Sequence, residues 1–370
     1  MKADTFIFIL KKGIIRILSI LSFFLFFIHT NYIHATHIVG GQLSYRNLGK
    51  NQFEISIIFR RDCINGADTV PFDNPALLGV FYGDNQKAFR IGFDGVIPIK
   101  QTVDDTLTET IDNFCVDKFK EVCVHQTIYR DTVQLPFDER GYILVYQRCC
   151  RNTTLANIVD PLETGATYTA QITAKNLIEG NSNPLFGSFP PIYACANKPF
   201  TFDHGAIDSD GDSLVYTLCA PYLGKTRLDP AGRPSFPPYD TVTWKSPFNI
   251  NNLFGSPLTI NPNTGLIEGT PPILGQFLVG VCVYEYRKGQ LIGYARRDFE
   301  LNIVPCGIKP VAAFDKTSAL CDGLQQSFKN NSIDGINYQW FFDWQNDKSC
   351  LLYTSPSPRD RTRSRMPSSA

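Results

Sequence analysis

Between residues 195 and 306, acidic and glycine-rich turns alternate with runs of period-two hydrophobicity, and this pattern constrains the fold most. Residues 208–216, at its centre, read Asp-Ser-Asp-Gly-Asp-Ser-Leu-Val-Tyr. The runs at 214–218 and 275–286 place successive side chains on opposite faces, as strands do. Strands joined by such short turns are typical of an antiparallel β-sandwich, so we predict an all-β fold for this segment.

The N-terminal half shows the same alternation. Apolar residues occupy every second position from Phe53 to Phe59, which predicts that one face of this strand is buried. Further strand-like runs lie at 42–45, 77–82, 141–147 and 166–173. Residues 97–133 are more polar and predict a long loop or hairpin. Helical runs rich in Ala, Leu and Glu are nearly absent, so the whole chain is predicted to be all-β.

Length and charge limit the class of protein. A chain of 370 residues has room for two or three domains, each with its own core. Lys and Arg together number 35, and so do Asp and Glu. This balance argues against nucleic acid as a partner, because nucleic-acid binding needs a basic face.

Residues 1–35 have the pattern of a signal peptide. Lys11, Lys12 and Arg16 precede an apolar run at 17–28, and Ala35 offers a small residue for cleavage. No second apolar run follows, so we expect a secreted protein with no membrane span after cleavage. An uncleaved anchor is the alternative.

The cysteines are predicted to form structural disulfides, because exported proteins meet an oxidising environment. No pair has C-x-x-C spacing and histidines are scarce, which argues against a zinc cluster. The connectivity stays open. The candidates are Cys63, Cys115, Cys123, Cys149, Cys150, Cys195, Cys219, Cys282, Cys306 and Cys321.

The adjacent pair Cys149–Cys150 allows two interpretations. A bond between them, flanked by Arg148 and Arg151, would be a candidate redox element, because the two cations favour thiolates. We expect instead that each cysteine pairs with a different partner, since neighbours on a strand point to opposite faces.

Three aspartates are the strongest candidate for a ligand site. Asp208, Asp210 and Asp212 alternate around a glycine and could converge on calcium, with Asp203 or Asp298 adding oxygens. An EF-hand is excluded, because the glycine falls fourth instead of sixth. The alternative is an Asp/Gly turn whose carboxylates accept hydrogen bonds from backbone amides.

Enzyme chemistry is not predicted. Residues 38–41, Ile-Val-Gly-Gly, resemble the N-terminus of a trypsin-like protease, but Ser213 is followed by leucine instead of two glycines. The acids show no local glycosidase signature. Carbohydrate binding is the alternative function, because Tyr222, Tyr239 and Trp244 could form an aromatic platform. Packing within the proline-rich loop at 234–238 would explain the same residues.

Several short sequence motifs are more specific indicators of a protein family than the hydrophobic periodicity is. These motifs lie at 36–41, 60–63, 71–75, 144–152, 189–192 and 200–204. Together with 195–306, they resemble the N-terminal region of secreted Bacteroidetes proteins that are gliding-motility-associated or contain PKD domains. The central segment also resembles cadherin-like, immunoglobulin-type modules of bacterial surface proteins, which supports a loop calcium. Residues 310–314, 328–332 and 338–342 resemble the first strands of a PKD domain.

The resemblance implies tandem immunoglobulin/cadherin-like β-sandwich modules at 36–190 and 191–306, with a truncated PKD-like start at 307–349. Residues 350–370 lose all apolar periodicity and resemble a translated sequencing adapter, so we expect a non-native tail. A basic disordered tail is the alternative. The expected function is non-catalytic: adhesion or scaffolding at the outer cell surface, associated with gliding or attachment. Its expected partners are an extracellular surface or glycan, and secretion machinery that recognises a missing C-terminal domain.

Overall fold

The computed structural model describes residues 37–64, 71–84, 88–89, 95–107, 123–306, 312–314, 329–332, 338–343 and 347–354. The chain forms two compact units, one of residues 1–109 and 122–303 and the other of residues 110–121 and 304–370. The described residues are mostly antiparallel strands with almost no helix, so the predicted all-β fold is confirmed. The predicted signal peptide at 1–35 lies outside the described residues.

The strands of the first unit cover most of its described length. They are β1 (Ile38–Gly49), β2 (Gln52–Asp62), β3 (Ala76–Tyr82), β4 (Val96–Ile99), β5 (Gln101–Leu107), β6 (Val124–Gln134), β7 (Tyr142–Arg148), β8 (Ala166–Ile172), β9 (Leu185–Phe186), β10 (Tyr193–Cys195), β11 (Phe200–Asp203), β12 (Ala206–Ile207), β13 (Ser213–Leu218), β14 (Leu258–Ile260), β15 (Leu266–Gly269), β16 (Gly275–Arg287) and β17 (Gln290–Val304). A 3-10 turn, Pro161–Glu163, and one short helix, α1 (Ala174–Glu179), interrupt them.

One large sheet runs through this unit. Its strand order is β13-β16-β17-β1-β2-β6-β5, and β10 also pairs with β17. Because β1 pairs with β17, the predicted segments 36–190 and 191–306 share this sheet. Gly40 allows the close approach of β17, and Gly41 allows that of β2 on the other side of β1. A Cβ on Gly40 would lie 2.4 Å from the Asp298 carbonyl oxygen, and one on Gly41 would lie 2.6 Å from the Ile58 carbonyl oxygen.

The first core lies between one part of the large sheet and the four-stranded sheet β4-β3-β7-β8. The predicted alternation in β2 is confirmed, because Phe53, Ile55, Ile57 and Phe59 are each at most 1% exposed. Phe59 makes edge-on ring contacts with Tyr146 of β7. Each fully buried side chain of this size contributes about 1.5–3 kcal/mol, so this face anchors β2.

The second core lies between the rest of the large sheet and the three-stranded sheet β11-β15-β14. Alternate residues of β16 face inward, beginning with Phe277 and Val279. Ile267 of β15 and Leu258 of β14 cover them from the small sheet. The segments 36–190 and 191–306 thus contribute mainly to different cores, although Phe186 of the first segment is buried in the second core, and the shared sheet joins the two cores.

His204 lies in the second core, only 1% exposed, and neither ring nitrogen has a hydrogen-bond partner among the described residues. Burial, followed by the charge of Arg297, lowers the pKa of His204 to about 3. In the unfolded chain His204 is protonated below about pH 6.5, whereas in the folded chain it is protonated only below about pH 3. Acidification between these two pH values therefore favours unfolding.

We expect His204→Phe to reduce the acid sensitivity of folding. The ring contacts with Phe186 and Phe299 suit an aromatic replacement, and no hydrogen bond is lost. Wild-type stability should fall by about 3 kcal/mol more than that of the variant between pH 7 and pH 4. Urea denaturation at both pH values measures this difference. An equal loss of stability between pH 7 and pH 4 in the wild type and in His204→Phe would contradict the lowered pKa of His204.

Three disulfides are defined in the first unit. Cys63 bonds Cys123, and Cys219 bonds Cys282. Cys195 of this unit and Cys306 of the second unit are also disulfide-bonded. These pairings confirm the prediction of structural disulfides for these cysteines. Cys115 and Cys321 lie outside the described residues.

The third disulfide joins Cys149 to Cys150, so the expectation that each pairs with a different partner was wrong. The physical reason is that β7 ends at Arg148, and the two cysteines are therefore not on alternating faces of a strand. Their backbone leaves the sheet, since the Cys149 amide donates to the Pro230 carbonyl and the Cys150 carbonyl accepts from Ile38. Both side chains are fully buried.

In the described part of the second unit, β18 (Tyr338–Asp343) pairs with β19 (Asp347–Thr354) as a hairpin. β19 runs through position 350, where the non-native tail was predicted to begin. Most of the predicted PKD-like start, and residues 355–370, lie outside the described residues. No helix in the described ranges is long and apolar enough to cross a membrane.

Candidate metal centre

The acidic loop joins β12 to β13, as its turn composition predicts. Gly211 has a φ of 82°, a left-handed conformation that suits glycine. One oxygen of Asp208, Oδ1, accepts hydrogen bonds from the amides of Asp210 and Asp212, at 3.0 and 2.8 Å. The alternative interpretation, in which the aspartates cap backbone amides, therefore holds for Asp208 Oδ1 and, through the Ser182 amide, for Asp210 Oδ2.

Three carboxylates meet beside the loop. Ligand oxygens of Asp208, Asp212 and Glu285 all lie within 4.8 Å of one another, and this group could hold a metal ion. Glu285 belongs to β16, where it pairs with Leu214 of β13 and Gly293 of β17. Sequence reasoning missed Glu285. The sequence contained one indication of its role. Glu285 continues the alternation of the inward-facing residues Val281 and Val283, so an acid falls on the buried face of the strand.

The other predicted ligands lie elsewhere. Asp210 turns to the segment after α1, where its Oδ2 accepts from the Ser182 amide at 2.7 Å. Asp203 accepts from the amide of Gly205. Asp298 forms a separate buried ion pair. Of the aspartates named from the sequence, the structure brings Asp208 and Asp212 together.

Glu285 is fully buried at the inner end of the cluster. Its Oε1 accepts from the Asn181 side chain at 2.8 Å, whereas Oε2 has no hydrogen-bond partner among the described residues. Burial, reinforced by the charges of Asp208 and Asp212, raises the pKa of Glu285 to about 8. Without a cation beside it, this carboxyl group is therefore mostly protonated at neutral pH.

Asp212 has a different environment. Its two oxygens accept from Arg287, with Nε–Oδ1 at 2.8 Å and a terminal nitrogen–Oδ2 distance of 2.5 Å. These hydrogen bonds lower the pKa of Asp212. Arg287 also donates to Glu179 at 3.2 Å and to Asn181 at 2.5 Å. The guanidinium therefore holds the loop against the end of α1.

The predicted aromatic platform is only partly assembled. The rings of Tyr222 and Tyr239 lie 5.9 Å apart and are half-buried. The Arg296 guanidinium lies 3.6 Å over the Tyr222 ring. Trp244 packs instead against the hydrophobic cluster that contains Ile158, to which its backbone is also bridged.

Comparison with known proteins identifies no relative. No family model matches the chain, and neither the curated proteins nor the solved structures contain a match.

Proposed function

We propose that this protein is a non-catalytic, secreted surface protein that works in adhesion or as a scaffold. The observation that carries the proposal is the single antiparallel sheet that joins two cores through the β1–β17 pairing. A hydrogen-bonded sheet that continues from one core to the next suits a protein that holds a shape outside the cell. The proposal includes three further points: the tandem immunoglobulin/cadherin-like architecture, the PKD-like start and the link to gliding.

The disulfides support an extracellular role. Cys63–Cys123 spans 60 residues and Cys219–Cys282 spans 63, so each closes a large loop. Such bonds persist in oxidising compartments and restrict the unfolded chain. Secretion through a C-terminal sorting domain rests on the sequence resemblance.

Retention of protein-coated beads on a surface tests the proposal. Beads that carry the full chain should be retained under flow on extracellular polymer from the producing cells. Beads that carry reduced and alkylated protein should detach, because the unfolded chain presents no fixed binding face. Equal retention of both bead types, or none of either, would contradict an adhesive role for the folded protein.

Carbohydrate binding is a second candidate, favoured by the Tyr222–Tyr239 pair. Aromatic rings offer the apolar faces on which sugars stack. We expect Tyr239→Ala to abolish binding to any glycan that the wild type retains on an array. Phe137→Ala is the matched control, because Phe137 is a half-exposed aromatic outside this pair. Equal binding by the two variants would remove the tyrosine pair as the site.

A further inference from the structure

We propose that Asp208, Asp212 and Glu285 bind one divalent cation, and that calcium is the ion they fit. This inference is independent of the adhesive role proposed above. It rests on the positions of the three carboxylates and on buried oxygens that have no hydrogen-bond partner in the described part of the chain.

The geometry of the three side chains suits one ion. Their ligand oxygens lie within 4.8 Å of one another. Oxygens around calcium lie 2.3–2.6 Å from the ion, so two of them on opposite sides are about 5 Å apart. The ligands come from two separate parts of the chain, the loop at 208–212 and strand β16. A shared ion would therefore fasten the loop to the large sheet.

Unsatisfied buried oxygens point to a ligand at this place. Glu285 is fully buried, yet its Oε2 has no hydrogen-bond partner in the described part of the chain. The same holds for Asp208 Oδ2. Buried carboxylates need a compensating charge or a donor. Arg287 forms its carboxylate hydrogen bonds with Asp212 and Glu179, which leaves the two orphaned oxygens for a cation.

Tyr45 is a further buried polar residue in this region of the fold. Tyr45 is 1% exposed and belongs to β1, outside the acidic group. Its hydroxyl has no hydrogen-bond partner within the described ranges. The Tyr45 backbone is hydrogen-bonded to Asn183, two residues from Asn181, which donates to Glu285 Oε1. An ion with its water ligands would supply partners for these groups.

The donor set selects the kind of ion. All three ligands are carboxylates, which are hard oxygen donors, and the group includes neither cysteine nor histidine. Calcium accepts irregular sets of six to eight oxygens, with water completing the shell, whereas magnesium demands a compact octahedron. Asp208 is partly buried and the side chain of Asp212 is only 4% exposed, so a bound ion would be largely shielded from bulk water.

Calcium titration of the full chain tests the proposal. Isothermal titration calorimetry with CaCl₂ should show one site, and the melting temperature should be several degrees higher in millimolar CaCl₂ than in EDTA. A titration with no heat and no change in melting temperature would overturn the proposal. Tighter binding of MgCl₂ than of CaCl₂ would overturn the assignment to calcium.

Two isosteric variants identify the ligands. Glu285→Gln should weaken calcium binding at least tenfold, and its side-chain oxygen can still accept from Asn181, so the fold is retained. Asp210→Asn should bind like the wild type, because Asp210 bonds the Ser182 amide outside the group. Circular dichroism in EDTA verifies that both are folded. Equal losses in the two variants, or full affinity in Glu285→Gln, would refute this ligand set.

Discussion

Replacing Arg151 with methionine is expected to lower the free energy of unfolding by about 3–5 kcal/mol, because it leaves a buried carboxylate without its cation. Arg151 is fully buried, and one of its terminal nitrogens lies 2.5 Å from Asp298 Oδ2. Asp298 is only 5% exposed and also accepts from the Tyr168 hydroxyl at 3.0 Å. Methionine fills much of the volume of arginine but supplies no charge.

The position of Arg151 explains why its replacement should destabilise both the segment at 36–190 and the segment at 191–306. The backbone of Arg151 is bridged to Ile38 at the start of β1, and its side chain bonds Asp298 in β17. The next residue, Asn152, donates to Asp62 at the end of β2. The stretch after β7 thus ties β1, β2 and β17 together. Its sequence, Cys-Cys-Arg-Asn, therefore has a structural role in this fold.

Urea denaturation measures the effect of Arg151→Met, and Arg46→Ala is the matched control. Arg46 pairs with Glu54 at 3.2 Å, but its side chain is 55% exposed, so its loss should cost less than about 1 kcal/mol. The double variant Arg151→Met, Asp298→Asn should recover part of the loss, because it removes the orphaned charge. Similar small losses in Arg151→Met and Arg46→Ala would contradict this account.

Removing the Cys219–Cys282 disulfide is expected to cost about 4 kcal/mol. The bond closes a loop with a sequence separation of 63 residues and ties the end of β13 to the paired strand β16. Restriction of the unfolded chain grows with loop length, which accounts for the size of the effect. The paired substitution Cys219→Ala, Cys282→Ala in the full chain, followed by denaturant unfolding, measures it.

The neighbouring pair Cys149–Cys150 provides the comparison. These residues are adjacent, so their bond closes almost no chain, and the same relation assigns it about 1 kcal/mol of chain entropy. The paired alanine variant at these positions should therefore lose less stability than the pair at Cys219 and Cys282. The opposite ranking would mean that packing around the buried cysteines, and not loop closure, determines the contribution of each bond.

The sequence predicted the class of fold because period-two alternation reports which face of a strand is buried. The face from Phe53 to Phe59 is an example, since each of its apolar residues is buried. Alternation does not report which strands pair. The β1–β17 pairing joins Gly40 to Phe299, and no local pattern connects such distant residues. The two adjacent glycines in β1 indicated close backbone approach but did not identify the neighbour.

The candidate site was predicted in part for a similar reason. The loop composition identified Asp208 and Asp212, since alternate acids around a glycine can converge locally. The same pattern included Asp210, whose side chain turns to Ser182 instead. Glu285 lies in a strand more than seventy residues further along the chain, so only strand pairing brings it to the loop. The disulfide between Cys149 and Cys150 was considered only as the less favoured alternative, because no local sequence signal shows that β7 ends at Arg148.

Attachment of whole cells under flow is the most direct test of the proposed function. Cells that produce the protein and cells that lack its gene are compared for retention on a surface, and the medium is assayed for released sugars. The account predicts that loss of the gene lowers retention, that the intact gene restores it, and that no sugars are released by the purified protein. Unchanged retention, together with polysaccharide hydrolysis by the purified protein, would contradict the proposal of a non-catalytic surface protein.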